Sequence, residues 1–292
     1  MVRRIKRKPE DELEYLVDSV LGPHAKPIAT VVPGEVVEIE TFSALSKVTN
    51  PVTGPVEIKG AEPGDELHVE IVDIEMPDEG VTAIIPRFGL LEGWLNLMEP
   101  RTKKSEIKDG KILYKTDDGR TVEIDADPFI GTIGVSPSFE AITTLSPGPH
   151  GGNMDCPDIR PGNTLMLPVF RPGALFGLGD VHAVQGDGEV CGVAVEIPAV
   201  ITLRFGLEKG KKINWPRIDS STEVMTVGSA RPLEDAARQA FREMVVWMVE
   251  DYGWERDDAY MFLSLAGKAR IAQIVDPLYT VVAKLDKRYL EV

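Results

Sequence analysis

Glu62-Pro63-Gly64-Asp65-Glu66-Leu67-His68-Val69-Glu70-Ile71-Val72-Asp73-Ile74 joins a turn to a strand. Proline fixes φ and glycine accepts positive φ, so Pro63-Gly64 fits the middle of a type II turn. Leu67, Val69 and Ile71 then alternate with polar neighbours, which places them on one face of a strand. The same punctuation precedes Val36 to Thr41, at Pro33-Gly34, and recurs at Pro161-Gly162 and Pro172-Gly173 ahead of further apolar runs. Repeated turns of this kind predict many short strands, folded as a sandwich or barrel.

Working outward, Lys111 to Thr116 and Thr121 to Ile124 flank Asp117-Asp118-Gly119-Arg120, which signals a hairpin. Strand patterning resumes at Thr164 to Phe170 and at Val190 to Phe205. The character changes near Trp215. Pro232 to Trp254 predicts a helix, with Pro232 in its first turn, Glu234 and Asp235 complementing the dipole, an apolar stripe of Ala237, Phe241, Met244, Val245 and Met248, and Gly253 as its stop. Asp257 to Leu265 starts a second helix, Lys268 to Gln273 suits helix or strand equally, and Tyr279 to Leu285 reads as a last strand. The expected fold is mainly β: a β-rich main body over residues 1–214 that carries the site, and a smaller α/β C-terminal lobe over residues 215–292 packed on it. No fixed-period repeat is present.

The 292 residues suffice for a substantial core, and 43% hydrophobic with 27% charged residues is ordinary for a globular protein. A net charge of -15 excludes nucleic acid and anionic membrane as expected partners. The basic residues Arg3, Arg4, Lys6 and Arg7 read as a solvated terminus, because acidic residues follow at once. No apolar run reaches the ~18 residues of a membrane span, and no secretory signal is seen. Cys156 and Cys191 lack a disulfide framework, which points to a reducing cytoplasm.

The chemistry concentrates between Pro149 and Gly192, where His150, His182, both cysteines, five carboxylates and many glycines occur together. Asp180 and His182 stand at i and i+2, so on a strand they share a face, and imidazole with carboxylate is a good zinc donor set. Gln185, Asp187 and Glu189 follow, separated by glycines. His150-Gly151-Gly152-Asn153-Met154-Asp155 forms a second element, whose glycines let backbone approach a ligand. The bland readings are a solvated acidic turn and a loop histidine.

The blocks H-G-G-N-M-D (150–155), L-P-V-F-x-P-G-A-L-F (167–176) and G-D-x-H-A-x-Q-G-D-G-E-V-C-G (179–192) resemble the acetamidase/formamidase family. So do A-T-V-x-P-G-E-V-V-E-I-E-T (29–41), G-A-E-P-G-D-E-L-H-V-E-I-V-D-I (60–74) and I-G-T-I-G-V-S-P (130–137), and the resemblance runs colinearly over nearly the whole chain. It implies hydrolysis of a small linear amide to ammonia and a carboxylate, a β-sandwich-like main body with α/β additions, a homo-oligomer, and a divalent metal, zinc being the one associated with members.

On that basis Asp180 and His182 are the expected metal ligands, with Asp155 or His150 completing the shell. Glu140 and Glu189 are the candidate general bases, His150 a further catalytic candidate, and Asn153 and Gln185 the expected substrate contacts. A metal activates water and polarises a carbonyl, the two needs of amide hydrolysis. A metal-free route would pair Cys156 with Asp155, although Cys156 stands where the family varies and Cys191 reads as a small buried side chain. A noncatalytic sandwich that binds carbohydrate or another small ligand, and a cyclic amide (lactam) hydrolase, are the alternative functions. His68 reads as an exposed or hydrogen-bonded strand histidine, His24 as a turn residue, and Trp94 as a packing residue.

Overall fold

The computed structural model describes residues 2–290. The Pro-Gly signals all become closed turns. Glu35, Asp65, Asn163 and Ala174 donate backbone N–H bonds to Val32, Glu62, Arg160 and Arg171 at 2.9, 3.1, 3.1 and 3.0 Å. Gly34 and Gly64 both sit at φ +91°, as the third position of a type II turn requires.

Among the described residues the strands form two large sheets, of nine and ten strands. The first runs, edge to edge, through Arg3–Ile5, Val36–Glu40, Val200–Glu208, Glu66–Glu75, Thr164–Pro168, Arg217–Asp219, Glu223–Ala230, Tyr279–Asp286 and Lys268–Gln273. The second runs through the hairpin Thr121–Asp125 and Lys111–Lys115, then Arg101–Lys108, Glu79–Ile84, Glu196–Ile197, Phe176–His182, Phe129–Gly134 and Gly151–Asn153. Val52–Ile58 also pairs with Phe176–His182, and Ala29–Val31 pairs with Val52–Ile58.

The inner faces of the two sheets share one apolar core. Leu67, Val69 and Ile71 of the first sheet are fully buried with Ile130, Ile133, Phe176 and Leu178 of the second. Phe176 and Phe205 meet edge to face across the gap, ring centroids 5.1 Å apart. Each such buried aromatic contributes roughly 1.5–3 kcal/mol through area removed from water, so alternation along each strand translates directly into sandwich packing.

The predicted helix spans Leu233–Tyr252, with Gly253 at φ +70° as its left-handed stop. Pro232 takes the N-cap instead of the first turn. The buried face is Ala236, Ala240, Met244, Trp247 and Met248, while Ala237, Phe241 and Val245 are only partly covered. The small residues lie against the sheet because the helix comes in close: a Cβ on Gly228 would collide with the backbone of Ala236 and Ala240. Arg256–Ala266 is the second helix, and Lys268–Gln273 is a strand. Arg217–Asp219 pairs with Thr164–Pro168, so the first sheet continues through the 214/215 boundary, and the helices close a second apolar cluster over its far end.

Two expectations need correction. Residues 190–195 form no strand, since Gly192 adopts φ +78°; strands occur only at Glu196–Ile197 and Val200–Glu208, with Pro198 between them. Trp94 does not pack: it is 76% exposed on the short helix Glu92–Leu95, beside exposed Leu90, Leu91 and Met98. Among the described residues no helix is long and apolar enough to cross a membrane.

Candidate active site

Three neighbouring strands of the ten-stranded sheet, Gly151–Asn153, Phe129–Gly134 and Phe176–His182, deliver the central side chains. Asp180 and His182 share a face as their spacing requires, with His182 Nε2 3.1 Å from Asp180 Oδ1. Glu196 is the cross-strand partner of His182, and its Oε1 lies 3.3 Å from the same nitrogen. Asp155 Oδ1 approaches to 4.0 Å. Gly131 makes room for this convergence: a Cβ there would stand 2.5 Å from Asp155 Oδ1 and 3.0 Å from Asp180 Oδ2.

Asp155, Asp180, Glu189, Glu196 and Asp276 are all buried around the one imidazole. Asp155, Asp180 and Glu189 also hold left-handed backbone, at φ +42°, +55° and +44°. Non-glycine residues adopt that region at a cost of about 1 kcal/mol or more, and such strain gathers at functional sites.

Charge crowding sets the protonation. Burial, then the charges of Glu189, Asp276 and Asp180, drives Asp155 well above the usual carboxylate range. Burial likewise drives Glu189 well above its ordinary value. Burial is also the leading cause that pushes Glu196 and Asp276 each up to about 7. Burial opposes ionisation of His182 and Asp180 too, but here their mutual attraction wins: His182 is raised well above its ordinary value by Glu196 and Asp180, and Asp180 is held low by His182.

Gln185 and Asn153, expected as substrate contacts, have their amides engaged by the protein. Gln185 Nε2 donates to the carbonyls of Asp155 and Ala272 at 3.1 and 3.0 Å. Its Oε1 therefore faces His182 Nδ1, 2.9 Å away, and accepts that nitrogen's proton. Asn153 Nδ2 donates to Asp155 Oδ2 at 2.8 Å and to Asp276 Oδ2 at 2.7 Å. Its Oδ1 accepts from Asn50 Nδ2 at 2.9 Å and from the Thr132 hydroxyl.

The donor set suits a divalent cation. Gln185 fixes the proton of His182 on Nδ1, so Nε2 is the nitrogen left to face the carboxylates, as in metal-ligating histidines held by an outer partner. Asp155 Oδ1 and Glu196 Oε2 are buried with no hydrogen-bond partner. The ligand atoms of Asp155, Asp180 and His182 lie within 4.8 Å of one another, as do those of His182, Glu189 and Glu196. Glu66, His68 and Glu208 make another such trio, but Lys211 supplies its countercharge at 3.8 and 3.6 Å from the two glutamates. His68 is a hydrogen-bonded strand residue, 2.6 Å from Glu66 Oε1.

Not every candidate joins the cluster. Glu140 is exposed on the turn after Pro137, its Oε2 accepting from the Phe139 N–H at 3.3 Å. His150 is buried at the Gly148–Gly151 turn, with neither ring nitrogen hydrogen-bonded, and burial lowers it to about 4. Cys156 points at Asp158, 3.9 Å away, and burial pushes its thiol up to about 12, which removes the thiolate that the metal-free route needs. Asp187 reaches outward to Arg270 at 3.0 Å. His24 is an exposed turn residue.

The residues missed by sequence reading are Asn50, Thr132, Glu196 and Asp276. Asn50-Pro51 and Asp276-Pro277 look like turn dipeptides. Glu196 did carry a signal, a lone carboxylate inside the apolar run Val193-Ala194-Val195-Glu196-Ile197.

Known proteins carry the same arrangement of chain. The acetamidase of Yersinia enterocolitica superposes with a TM-score of 0.90 at 37% identity, covering 99% of this chain and 93% of that one. The acetamidase of Bacillus halodurans gives 0.89 at 35%, covering 99% and 98%. Among curated relatives, the acetamidase of Mycolicibacterium smegmatis is 27% identical over 54% of this chain and 53% of its own. The chain thus spans about half the length of the curated relatives it matches. The acetamidase/formamidase family model matches residues 21–143 and 139–285, which take in every side chain of the buried cluster, and the chain belongs to that family.

Proposed function

We propose that this chain is an amidohydrolase that cleaves small linear amides, formamide and acetamide, to ammonia and carboxylate, using a divalent metal, zinc, at Asp155, Asp180 and His182. The observation that carries this reading is the convergence of five buried carboxylates on one imidazole whose tautomer is fixed from outside. When bound, a divalent ion supplies Lewis acidity at the carbonyl and lowers the pKa of water.

The protein's own groups supply the rest. Gln185 orients the His182 ring. Asp180 and Asp155 provide carboxylate oxygens beside Nε2, and Asn153 ties Asp155 to Asp276. Glu196, raised to about 7 by burial, is matched to taking a proton from water and returning it to the leaving nitrogen near neutral pH. Glu189 is the second carboxylate for that task. Burial of the cluster excludes bulk water, which strengthens each of these interactions.

The free thiols of Cys156 and Cys191 support a cytoplasmic location. The exposed apolar side chains Leu90, Leu91, Trp94, Leu95 and Met98 support a homo-oligomer. The second apolar cluster beneath the helices supports residues 215–292 as a lobe on the 1–214 body.

Ammonia release from formamide, acetamide and a lactam, before and after chelation and zinc restoration, tests the reading. Turnover of the linear amides, lost on chelation and absent in His182→Ala, is expected. No release from any small amide would return the protein to a ligand-binding role.

A further inference from the structure

We propose that the site holds a second divalent cation beside the first, in an all-oxygen position made by Glu189 and Glu196; this rests on the metal-assisted reading above, and with both glutamates ligating it leaves the proton transfer to Asp276, the remaining buried carboxylate. His182 decides the count. Its Nδ1 is committed to Gln185 Oε1 at 2.9 Å, so only Nε2 is free, and one lone pair serves one ion. With Asp155 and Asp180 completing that first position, Glu189 and Glu196 remain as a pair of buried carboxylates without the nitrogen, their ligand atoms within 4.8 Å of each other.

The unpartnered atoms mark both positions. Asp155 Oδ1 lies on the first side and Glu196 Oε2 belongs to the second, and both are buried with no hydrogen-bond partner. Buried carboxylate oxygens in that state call for a cation or a proton.

The nearest basic side chains are spent elsewhere. Arg270 and Lys284 both bind Asp158, at 3.0 and 2.6 Å, and Arg231 donates to the backbone carbonyl of Asp276 at 2.6 Å. A bound ion would displace the protons that burial otherwise keeps on these carboxylates; with all five ionised around an imidazole that ligates as the neutral form, a single dication leaves a negative excess. A second dication brings the site close to neutrality, with Asp276 as the neighbouring carboxylate tied in through Asn153.

The two positions differ in chemistry. The first offers imidazole nitrogen with oxygen and suits zinc. The second offers only carboxylate oxygen and suits a harder ion of the magnesium or manganese class, as well as zinc.

Metal content is the test. Protein stripped with chelator is loaded with excess zinc and its ions counted by native mass spectrometry; separately, protein given one equivalent of zinc is titrated with Mn2+ and followed by electron paramagnetic resonance. Two ions per chain are expected, with Mn2+ entering beside zinc; Glu189→Gln/Glu196→Gln is expected to keep one zinc and to lose the Mn2+ signal. Should that variant fail to fold, as circular dichroism would reveal, the wild-type titration alone decides. A single ion per chain, with Mn2+ only competing for it, overturns the second position and leaves the one-metal amidase intact. No bound ion overturns both.

Discussion

Gln185 holds His182 by its Nδ1–H, Oε1 to Nδ1 2.9 Å, while its own amide hydrogens are fixed by the carbonyls of Asp155 and Ala272. The direction of the amide is thereby set by backbone from two other segments, and with it the nitrogen that His182 turns toward the carboxylates. Gln185→Leu removes the acceptor at nearly constant volume. Loss of such an outer partner costs roughly 10–100-fold in metal affinity or activity. We expect both to fall by that order, measured by zinc competition titration and by kcat/KM for formamide, alongside a loss of about 1–3 kcal/mol in stability from the carbonyls of Asp155 and Ala272 left without their donor.

Gly131→Ala tests the closeness of the cluster. The new methyl would meet Asp155 Oδ1 at 2.5 Å and the Asp180 carbonyl at 2.8 Å, and neither can retreat without leaving the imidazole. Misplacement of a catalytic group by about 1 Å costs roughly a hundredfold in rate. A drop of that size in kcat, in protein that still folds cooperatively, is the expected outcome. Wild-type turnover would show that Asp155 and Asp180 need not sit where they do.

Metal-free protein should lose stability as the pH rises. Glu196 and Asp276 are raised by burial from ordinary values of 4.5 and 3.8 to about 7. The folded chain therefore binds these protons more tightly than the unfolded chain. Stability from this source is fully present below the ordinary carboxylate range and is lost as the pH climbs through about 7. Melting temperatures of chelated protein should accordingly fall between about pH 5 and 8, and zinc should flatten the trend by neutralising the same charges. A melting temperature that rises with pH in chelated protein contradicts these protonation states.

What was legible in the sequence was local. Glu66–Glu75 could be read because alternation is a property of one strand, and Asp180 with His182 because i and i+2 share a face whatever lies alongside. Glu196 could not be placed, since its position opposite His182 depends on how Glu196–Ile197 pairs with Phe176–His182. Asp276 enters the site only because Lys268–Gln273 closes the far edge of the other sheet and its following turn folds back over Asn153. Asn153 and Gln185 could be singled out only as candidate substrate contacts, because the hydrogen bonds that engage them come from partners distant in sequence: Asn50 and Asp276 for one, Ala272 for the other. Pairing between strands far apart in the chain is the information that a single strand's pattern lacks.

Arg270 provides the last test, because it fastens two site segments from outside. Its Nη1 binds Asp158 at 3.0 Å, three residues after Asp155, and its Nε binds Asp187 at 3.0 Å, two residues before Glu189. Gly188 is stitched alongside, its N–H donating to the Ile271 carbonyl at 2.9 Å and its carbonyl accepting from Ile274 at 3.1 Å. Arg270→Gln shortens the arm and removes its charge while keeping a polar end. Lys284 still neutralises Asp158, so the fold should lose only about 1–2 kcal/mol, as expected for a partly exposed pair. The loop carrying Glu189 should loosen more than the global stability reveals, and kcat should fall roughly tenfold with KM little changed. Arg270→Lys reaches only one of the two carboxylates and should recover part of the loss. Equal kcat in wild type and Arg270→Gln would mean that Glu189 is held without this arm, by the Gly188 backbone bonds alone.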